Sequence, residues 1–305
     1  MKSILITGAK GFLGSHASKY FKQLGYQVFG LGHGKLEKKE SNKIGIDFWK
    51  EENVSCKTLL DLNHKFDVIV HCGGSGSVRS SLKNPDEDSR KTVDSTHGVL
   101  EYMRYYNPDA LLIYPSSPAV QGEHPNTPIS ENFVGEPISP YGDNKKITEE
   151  LCSSYSKKYG LNISIVRLFS VYGKGLRKQL LWDACMKIKT ANNNVTFWGT
   201  GNETRDFIHI NDVLSLFNFI LTLKPKFLIV NGGLGNGYTV RDMVNMIRNI
   251  INPKVEINFN QKTDVGNPKY FCADTKKLES LGFNVNKDIK KNIEEYVEWA
   301  RKIDD

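Results

Sequence analysis

The N-terminal stretch up to Leu24 constrains the fold of this chain more than any other part of it. A short apolar segment at residues 4–6 is followed by Gly8, Gly11 and Gly14, and then by apolar residues at helical spacing. The glycines leave no Cβ where the chain turns, and the free N–H groups of a helix starting there attract an anion such as a pyrophosphate. This order of strand, turn and helix predicts a unit that binds a dinucleotide.

Strands and helices continue to alternate along the next part of the chain. We predict strands at 27–31, 43–47, 66–71, 110–114 and 163–168, helices at 85–106 and 141–159, and an ordered loop at 122–140. The alternation predicts an α/β fold of the Rossmann type, with a doubly wound parallel sheet and a ligand crevice at the carboxyl ends of its strands.

Beyond Phe169 the pattern becomes less regular. We predict helices at 176–190, 210–222, 239–250 and 287–302 and short strands near 195–198 and 226–231. No repeat or flexible linker separates this part from the rest. The predicted domains are a dinucleotide-binding Rossmann domain over 1–169, to which a segment at about 205–232 returns, and a smaller interleaved α/β substrate-binding cap over 170–204 and 233–305.

Composition excludes several classes of function. Apolar residues make up 39% of the 305-residue chain and charged residues 25%, as in ordinary globular enzymes. The net charge of +7 is scattered without a basic tract, which argues against nucleic-acid binding. We see no membrane span, no signal peptide and no metal-ligand spacing. The five cysteines form no C-x-x-C pair, so we expect reduced thiols and a cytoplasmic protein.

The end of the second strand bears on the choice of nicotinamide cofactor. An acid there usually binds the adenosine ribose hydroxyls, yet no Asp or Glu occurs between Ser15 and Leu36. His33 and Lys35 stand where a 2′-phosphate would lie. The sequence therefore favours NADP over NAD.

Tyr141 and Lys145 lie four residues apart at the start of a predicted helix, so their side chains share one face. We expect the ammonium to lower the pKa of the phenol and to hold the ribose of a nicotinamide cofactor. Such a tyrosine can exchange a proton with a sugar hydroxyl while hydride moves at the neighbouring carbon. Ser117, at the end of the fifth strand, is placed to hydrogen-bond the same oxygen.

Taken together, these motifs resemble the extended short-chain dehydrogenase/reductases, which include nucleotide-sugar epimerases, dehydratases and ketoreductases. The resemblance covers nearly the whole chain. It rests on residues 7–14 (TGAKGFLG), 116–117 with 120–122, 140–145 (PYGDNK), 167–173 (RLFSVYG), 199–206 with 207–212, and 273–274.

The resemblance assigns roles to further residues. Asp47 and Phe48 would flank the adenine, Cys72 and Gly73 the middle of the cofactor, and Arg205 and Ser170 the substrate diphosphate. Helices 92–106 and 141–159 would form a homodimer interface. The complete predicted site is catalytic Ser117, Tyr141 and Lys145; cofactor-binding Gly8, Lys10, Gly11, Phe12, Leu13, Gly14, His33, Asp47, Phe48, Cys72, Gly73, Lys145 and Leu168; and substrate-binding Ser117, Ser170, Arg177 and Arg205.

Departures from the family pattern narrow the activity. Pro118 and Ala119 follow Ser117 where the dehydratases carry an Asp-Glu pair, and the cysteine of the fucose-synthase type is absent. Gln121, Ser170 and Lys174 replace a usual Tyr, Asn and Pro. These departures argue against dehydration and leave redox chemistry at a ring carbon of a nucleotide sugar, C4 being favoured.

Three functions remain open on the sequence. The missing acid after the second strand favours a 4-keto sugar reductase that uses NADP, with Tyr141 as proton donor. The first alternative is a nucleotide-sugar 4-epimerase with tightly retained NAD. The second is a non-catalytic nicotinamide-binding module, against which the intact Ser117, Tyr141 and Lys145 argue.

Overall fold

The structure, a computed structural model, describes residues 1–123, 127–262, 268–286 and 288–303. The chain divides into two compact units. The first unit consists of Met1–Gly122, Val134–Leu168 and Leu214–Val230, and the second of Glu123–Phe133, Phe169–Val213 and Asn231–Asp305. The assignment of one part of the chain to a cofactor and the other to a substrate stays a prediction.

A seven-stranded sheet forms the centre of the first unit. Its strands are β1 (Ser3–Thr7), β2 (Gln27–Gly32), β3 (Phe48–Glu51), β4 (Val68–His71), β5 (Leu111–Ser116), β6 (Asn162–Leu168) and β10 (Phe227–Gly232). They lie in the order β10-β6-β5-β4-β1-β2-β3, and every pairing from β6 to β3 is parallel. All residues of β1, β4 and β5 are buried, which explains why these segments are apolar on both faces. The predicted Rossmann sheet is confirmed.

Helices separate the strands of this sheet along the chain. They are α1 (Phe12–Gln23), α2 (Lys38–Ile44), α3 (Cys56–Leu60), α4 (Val78–Lys83), α5 (Pro85–Ser89), α6 (Ser95–Tyr106), α7 (Pro140–Tyr159) and α9 (Ile210–Leu223), with a π-helical segment at Arg90–Asp94 and a 3₁₀ turn at Pro118–Gln121. Helix α7 begins where the Ser139 hydroxyl accepts a hydrogen bond from the Gly142 N–H, with proline at its first position. It ends at Gly160, whose φ of 70° is left-handed.

Residues 43–47 do not form the predicted strand. Lys43 and Ile44 complete α2, Gly45 ends that helix with φ 76°, and the third strand begins only at Phe48. The alternation of apolar and polar residues over 43–47 imitates a strand, but the left-handed glycine fits the end of a helix. The predicted strand at 43–47 was therefore wrong, and the third strand lies directly after this range.

Other predicted elements agree with the structure to within a few residues. In the described part of the predicted loop 122–140, Ile129 makes an isolated bridge with Ala273, and α7 begins at Pro140. Residues 124–126 of this loop lie outside the described residues, as does residue 287 of the predicted helix 287–302.

The second unit is built around β9. Its strands are β7 (Ser170–Tyr172), β8 (Asn194–Phe197), β9 (Thr204–His209), β11 (Gly237–Thr239), β12 (Glu256–Phe259) and β13 (Tyr270–Phe271), and its helices are α8 (Gln179–Thr190), α10 (Val240–Ile251), α11 (Lys276–Ser280) and α12 (Ile289–Arg301). Strand β9 pairs with β7 and β13 in parallel and with β11 antiparallel. Across the described ranges, every helix is too short or too polar to cross a membrane.

Candidate active site

The glycine-rich turn between β1 and α1 is closely packed. Gly8 has φ 62°, and a Cβ there would lie 2.7 Å from the Cys72 carbonyl oxygen. A Cβ on Gly14 would lie 2.3 Å from the carbonyl oxygen of Gly8. Gly11 precedes α1 without a capping side chain, and the first turn of α1 carries no acidic residue. No acidic side chain of that first turn would repel an anion at the positive end of the helix, and these residues fit a dinucleotide pyrophosphate.

Polar side chains beneath this turn fix the ends of β1 and β4. The Thr7 hydroxyl lies 2.7 Å from His71 Nδ1 and accepts a hydrogen bond of 2.9 Å from the Gly73 N–H. On its other side, His71 Nε2 lies 3.1 Å from the Thr96 hydroxyl and 3.2 Å from that of Ser95. Burial, followed by the charge of Lys145, lowers the pKa of His71 to about 3. His71 is therefore a neutral hydrogen-bonding residue.

Several of the predicted cofactor-binding residues make contacts with other residues of the chain. Lys10 donates a hydrogen bond of 2.8 Å to the Lys35 carbonyl oxygen, and His33 is exposed just after β2. Phe12 packs against His16 with 4.8 Å between ring centres. The partly buried Leu13 follows Phe12 in α1, and the buried Leu168 is the last residue of β6.

Asp47 and Phe48 lie at the start of β3. The Asp47 carboxylate accepts hydrogen bonds from the Val28 N–H at 2.9 Å and from Lys22 Nζ at 2.6 Å, so it ties β2 to α1. The half-exposed Phe48 ring stacks on Phe29 with 4.5 Å between ring centres. Of the two residues, Phe48 is the one with a face free to stack on a further ring.

Cys72 follows the end of β4 and is partly buried. Burial raises the pKa of its thiol to about 12, although the charge of Lys145 opposes that shift. A thiol in this state is neither a nucleophile nor a base at neutral pH. The structure therefore gives Cys72 a packing position at the carboxyl edge of the sheet, followed directly by Gly73.

The three predicted catalytic residues come from two elements of the first unit. Ser117 follows β5, and its hydroxyl accepts a hydrogen bond of 3.2 Å from the Ala119 N–H. Tyr141 occupies the second position of α7, where its N–H donates to the Ser81 hydroxyl of α4 at 3.1 Å. The Ser117 side chain also hydrogen-bonds the Tyr141 phenol.

The expectation that Lys145 lowers the pKa of Tyr141 is wrong. Burial raises the pKa of Tyr141 to about 12, with the hydrogen bond from Ser117 opposing the shift and the charge of Asp88 adding to it. Lys145 Nζ lies 6.0 Å from the centre of the Tyr141 ring and instead donates bonds of 3.0 Å to the Tyr114 hydroxyl and the Pro115 carbonyl oxygen. Tyr141 is therefore protonated at neutral pH.

Lys145 is a buried amine, 5% exposed, and its pKa falls to about 8. Burial is the largest cause, and Glu149, Asp88, Cys72 and Cys152 oppose it. An amine with this pKa exchanges its proton near neutral pH, as an ordinary surface lysine does not.

A buried ion pair supports the end of β5 and the middle of α7. Arg167 on β6 donates to both carboxylate oxygens of Glu149, with a shortest distance of 2.7 Å, and both residues are less than a tenth exposed. The Ser116 hydroxyl donates a further hydrogen bond to Glu149, of 2.6 Å. Ser116 precedes Ser117, and Glu149 lies one helical turn after Lys145. These three residues, the Ser116–Glu149–Arg167 clamp, join the two elements that carry the predicted catalytic residues.

The predicted substrate residues lie in the second unit. Ser170 begins β7, and Arg205 lies on β9 with its guanidinium 5.8 Å from the Phe271 ring centre and donating to the Thr204 carbonyl oxygen. Arg177 is exposed, 6.0 Å from the Trp182 ring centre. A role for these residues in substrate binding stays a prediction.

Sequence reasoning missed several residues around Tyr141 and Lys145. Glu149 could have been found from the sequence, since it follows Lys145 at i+4 on the same helical face. The sequence evidence for Arg167 is weaker and consists of an arginine in a buried strand, which requires a carboxylate. No sequence pattern indicates Asp88 and its partner Asn144, because 56 residues separate them in the chain.

The chain matches one family model and many known proteins over most of its length. The model described as "NAD dependent epimerase/dehydratase family" matches residues 4–232, a range that includes Ser117, Tyr141, Lys145 and Arg205. A Methanocaldococcus jannaschii protein that is provisionally named a UDP-glucose 4-epimerase is 31% identical to this chain, and the match covers 98% of each of the two chains. A UDP-glucuronate 4-epimerase from Thermodesulfobacterium geofontis is 27% identical over 98% of this chain and 96% of its own.

A solved structure of similar length shares the fold. The UDP-glucuronic acid 4-epimerase of Bacillus cereus, in complex with UDP-glucuronic acid and NAD, is 26% identical over 98% of this chain and 99% of its own, with a TM-score of 0.87. The chain therefore belongs to the NAD dependent epimerase/dehydratase family, and the resemblance to NAD(P)-dependent nucleotide-sugar enzymes that its motifs indicated is confirmed.

Proposed function

We propose that this protein is an NAD-dependent 4-epimerase of a UDP-linked hexose or hexuronate. Full-length similarity to UDP-sugar 4-epimerases, including one solved with UDP-glucuronic acid and NAD, is the observation that carries the proposal. It favours the epimerase over the 4-keto sugar reductase, which was the leading interpretation of the sequence. It also favours NAD over the NADP that His33 and Lys35 suggested, since the Bacillus cereus structure contains NAD.

The residues of the first unit fit a nicotinamide dinucleotide. The glycine turn and the N-terminal end of α1 would hold the pyrophosphate, Phe48 would stack on the adenine, and Lys145 would bind the ribose next to the nicotinamide. Bound NAD would supply a positively charged acceptor that takes hydride from C4 of the sugar and returns it to the opposite face.

Tyr141 would move the proton that accompanies this hydride transfer. Its phenol oxygen would accept the proton of the sugar 4-hydroxyl during oxidation and give it back during reduction. Ser117, already hydrogen-bonded to Tyr141, would donate to the same sugar oxygen. One proton would thus pass from the sugar oxygen to the phenolate during oxidation and back from the phenol during reduction, and burial favours the phenol, which is the donor form.

Arg205, Ser170 and Arg177 would contact the diphosphate and the sugar of the substrate. A guanidinium matches a diphosphate because its planar fork donates two parallel hydrogen bonds. A homodimer built on α6 and α7 remains part of the proposal.

The test is turnover without added nicotinamide. We would incubate purified protein with UDP-glucose and, separately, with UDP-glucuronic acid, and follow the 4-epimer by proton NMR. Conversion of either sugar to a constant ratio of two epimers supports the proposal. The reductase interpretation would be supported instead by a protein that leaves both sugars unchanged and consumes NADPH stoichiometrically with a 4-keto nucleotide sugar.

A further inference from the structure

The ammonium group of Lys145 is held against the end of β5. Its Nζ donates hydrogen bonds of 3.0 Å to the Tyr114 hydroxyl and to the Pro115 carbonyl oxygen. Both acceptors belong to the last turn of pleat in that strand, which ends at Ser116. Lys145 is 5% exposed and Tyr114 is fully buried. The strand therefore sets the position of this buried amine together with the helix that carries it.

The part of β5 that receives Lys145 is not covered by β4. Strand β5 pairs with β4 as far as Ile113, and its later residues pair with β6. Proline has no N–H to donate to a neighbouring strand. The carbonyl oxygen of Pro115 accepts from the Lys145 side chain of α7. The end of β5 thus presents two acceptors to one ammonium.

The Tyr114 side chain is itself fixed in place. Its ring stacks on that of His71, with 6.1 Å between ring centres and 26° between ring planes. Burial raises the pKa of the Tyr114 phenol well above its usual value, so the phenol keeps its proton. An ammonium is a donor without a lone pair, so the phenol oxygen is the acceptor in the hydrogen bond with Lys145.

The donors of Lys145 show what this arrangement leaves free. A lysine ammonium carries three N–H donors. Two of them are used by Tyr114 and Pro115, and among the described residues no protein atom accepts the third. Two hydrogen bonds to different atoms also fix the rotation of the ammonium about its C–N bond. The third N–H therefore has one direction.

We propose that Tyr114 is a positioning residue for Lys145. Together with the Pro115 carbonyl, its hydroxyl oxygen orients the ammonium so that one N–H remains for the ribose of the nicotinamide cofactor. This inference rests on the proposed function, which gives Lys145 the ribose as its partner. A lysine that is oriented beforehand loses less freedom when it binds, and preorganisation of this kind strengthens binding.

Other ionisable groups also face Lys145, and the test leaves all of them in place. They are Glu149, Cys152 and Tyr141 on α7, Asp88 on α5, His71 on β4 and Cys72 directly after β4. Tyr114→Phe changes none of these groups. It also keeps the Tyr114 ring, whose centre lies 4.6 Å from Lys145 Nζ, and removes only the accepting oxygen.

The test is a titration of Lys145 in the full-length protein as purified. Protein labelled with ¹³C at the lysine ε carbon is titrated from pH 6 to pH 10 by NMR, and the Lys145 signal is identified by its absence from Lys145→Met. We expect a midpoint near the pKa of about 8 in the original protein. Tyr114→Phe should lower this midpoint by roughly half a pH unit or more, because the lost hydrogen bond favours the charged form.

Tyr102→Phe is the matched control. Tyr102 is also fully buried, and its hydroxyl donates to the carbonyl oxygen of His64, which precedes β4 at the amino end of the sheet. The control should leave the Lys145 midpoint unchanged. If Tyr114→Phe does not fold, Tyr114→Met removes the same oxygen with a flexible side chain that adapts to the space, and it is titrated in its place.

An unchanged or raised midpoint in the folded Tyr114 variant would overturn the inference, because a tyrosine that only fills the core would affect thermal stability and not the titration. The titration requires no turnover, so its outcome is separate from that of the proposed function. A lowered midpoint in a protein that epimerises no UDP-sugar would support the role of Tyr114 and reject the 4-epimerase. In an active enzyme, the pH above which kcat/KM falls should decrease in Tyr114→Phe by the same amount as the midpoint.

Discussion

At the scale of single residues, the account depends on Tyr141 as the group that moves the proton. Its phenol is hydrogen-bonded to Ser117 and carries its proton at neutral pH. Tyr141→Phe keeps the ring and removes only the hydroxyl. We expect turnover to fall by about a hundredfold or more, since that is the usual contribution of an acid–base group.

Tyr159→Phe is the matched control for this substitution. Tyr159 is the last residue of the same helix, and 49% of it is exposed. Both variants should bind nicotinamide and unfold at the temperature of the original protein. Near-normal turnover in Tyr141→Phe, measured beside this control, would remove the phenol from the mechanism.

Lys145 predicts how turnover depends on pH. Its pKa of about 8 lies below that of an ordinary lysine, so the amine is charged below that pH and neutral above it. If the ammonium binds the cofactor ribose, kcat/KM falls as the pH rises through about 8. A profile measured with a UDP-sugar that stays flat to pH 9.5 would show that the charge on Lys145 is not required.

At the scale of elements, the Ser116–Glu149–Arg167 clamp joins β5, β6 and α7. Glu149→Ala leaves the buried guanidinium of Arg167 without its carboxylate. Breaking a buried ion pair from one side costs about 3–5 kcal/mol in the free energy of unfolding. Glu150→Ala removes an exposed acid at the next position and should cost less than about 0.5 kcal/mol. Equal urea midpoints for the two variants would show that the clamp contributes nothing to stability.

The glycine turn gives a second prediction at this scale. A Cβ on Gly14 would overlap the Gly8 carbonyl oxygen at 2.3 Å, so Gly14→Ala must push α1 away from β1. We expect the variant to lose bound nicotinamide. Gly76 has open space around its Cβ position, and Gly76→Ala should retain the cofactor. The measurement is the amount of nicotinamide released on denaturation, and equal amounts from both variants would contradict the account.

The elements also show how far the sequence can be interpreted. Buried parallel strands such as β1 and β5 were predictable, because a strand covered on both faces must be apolar throughout. Residues 43–47 were not, because the alternation that imitates a strand comes from the end of an amphipathic helix and its terminating glycine. A short segment carries both patterns, and only tertiary contacts decide between them.

The site itself was predictable in part. The spacing of Tyr141 and Lys145 predicted that both lie on one face of α7, and the position of Ser117 directly after a strand was also predicted. The state of protonation was not predictable, since it depends on burial and on acids such as Asp88 that come from distant parts of the chain. The sequence suggested that Lys145 activates the phenol, whereas burial has the larger effect.

At the scale of the whole molecule, the similarity to UDP-sugar 4-epimerases extends over both units. The match to the Bacillus cereus structure covers 98% of this chain, and the match to the family model covers residues 4–232. A 4-epimerase, which is the function proposed for this chain, must return to the sugar the hydride that it takes from it.

The most direct test of this account follows the hydrogen at C4. UDP-glucose and UDP-glucuronic acid carrying deuterium at C4 are incubated with the protein without added cofactor, and the 4-epimer is analysed by NMR and mass spectrometry. A 4-epimerase using retained NAD returns the deuterium to C4 of the product. Epimer that has lost its deuterium, or label that leaves the protein on a released nicotinamide, would contradict the account.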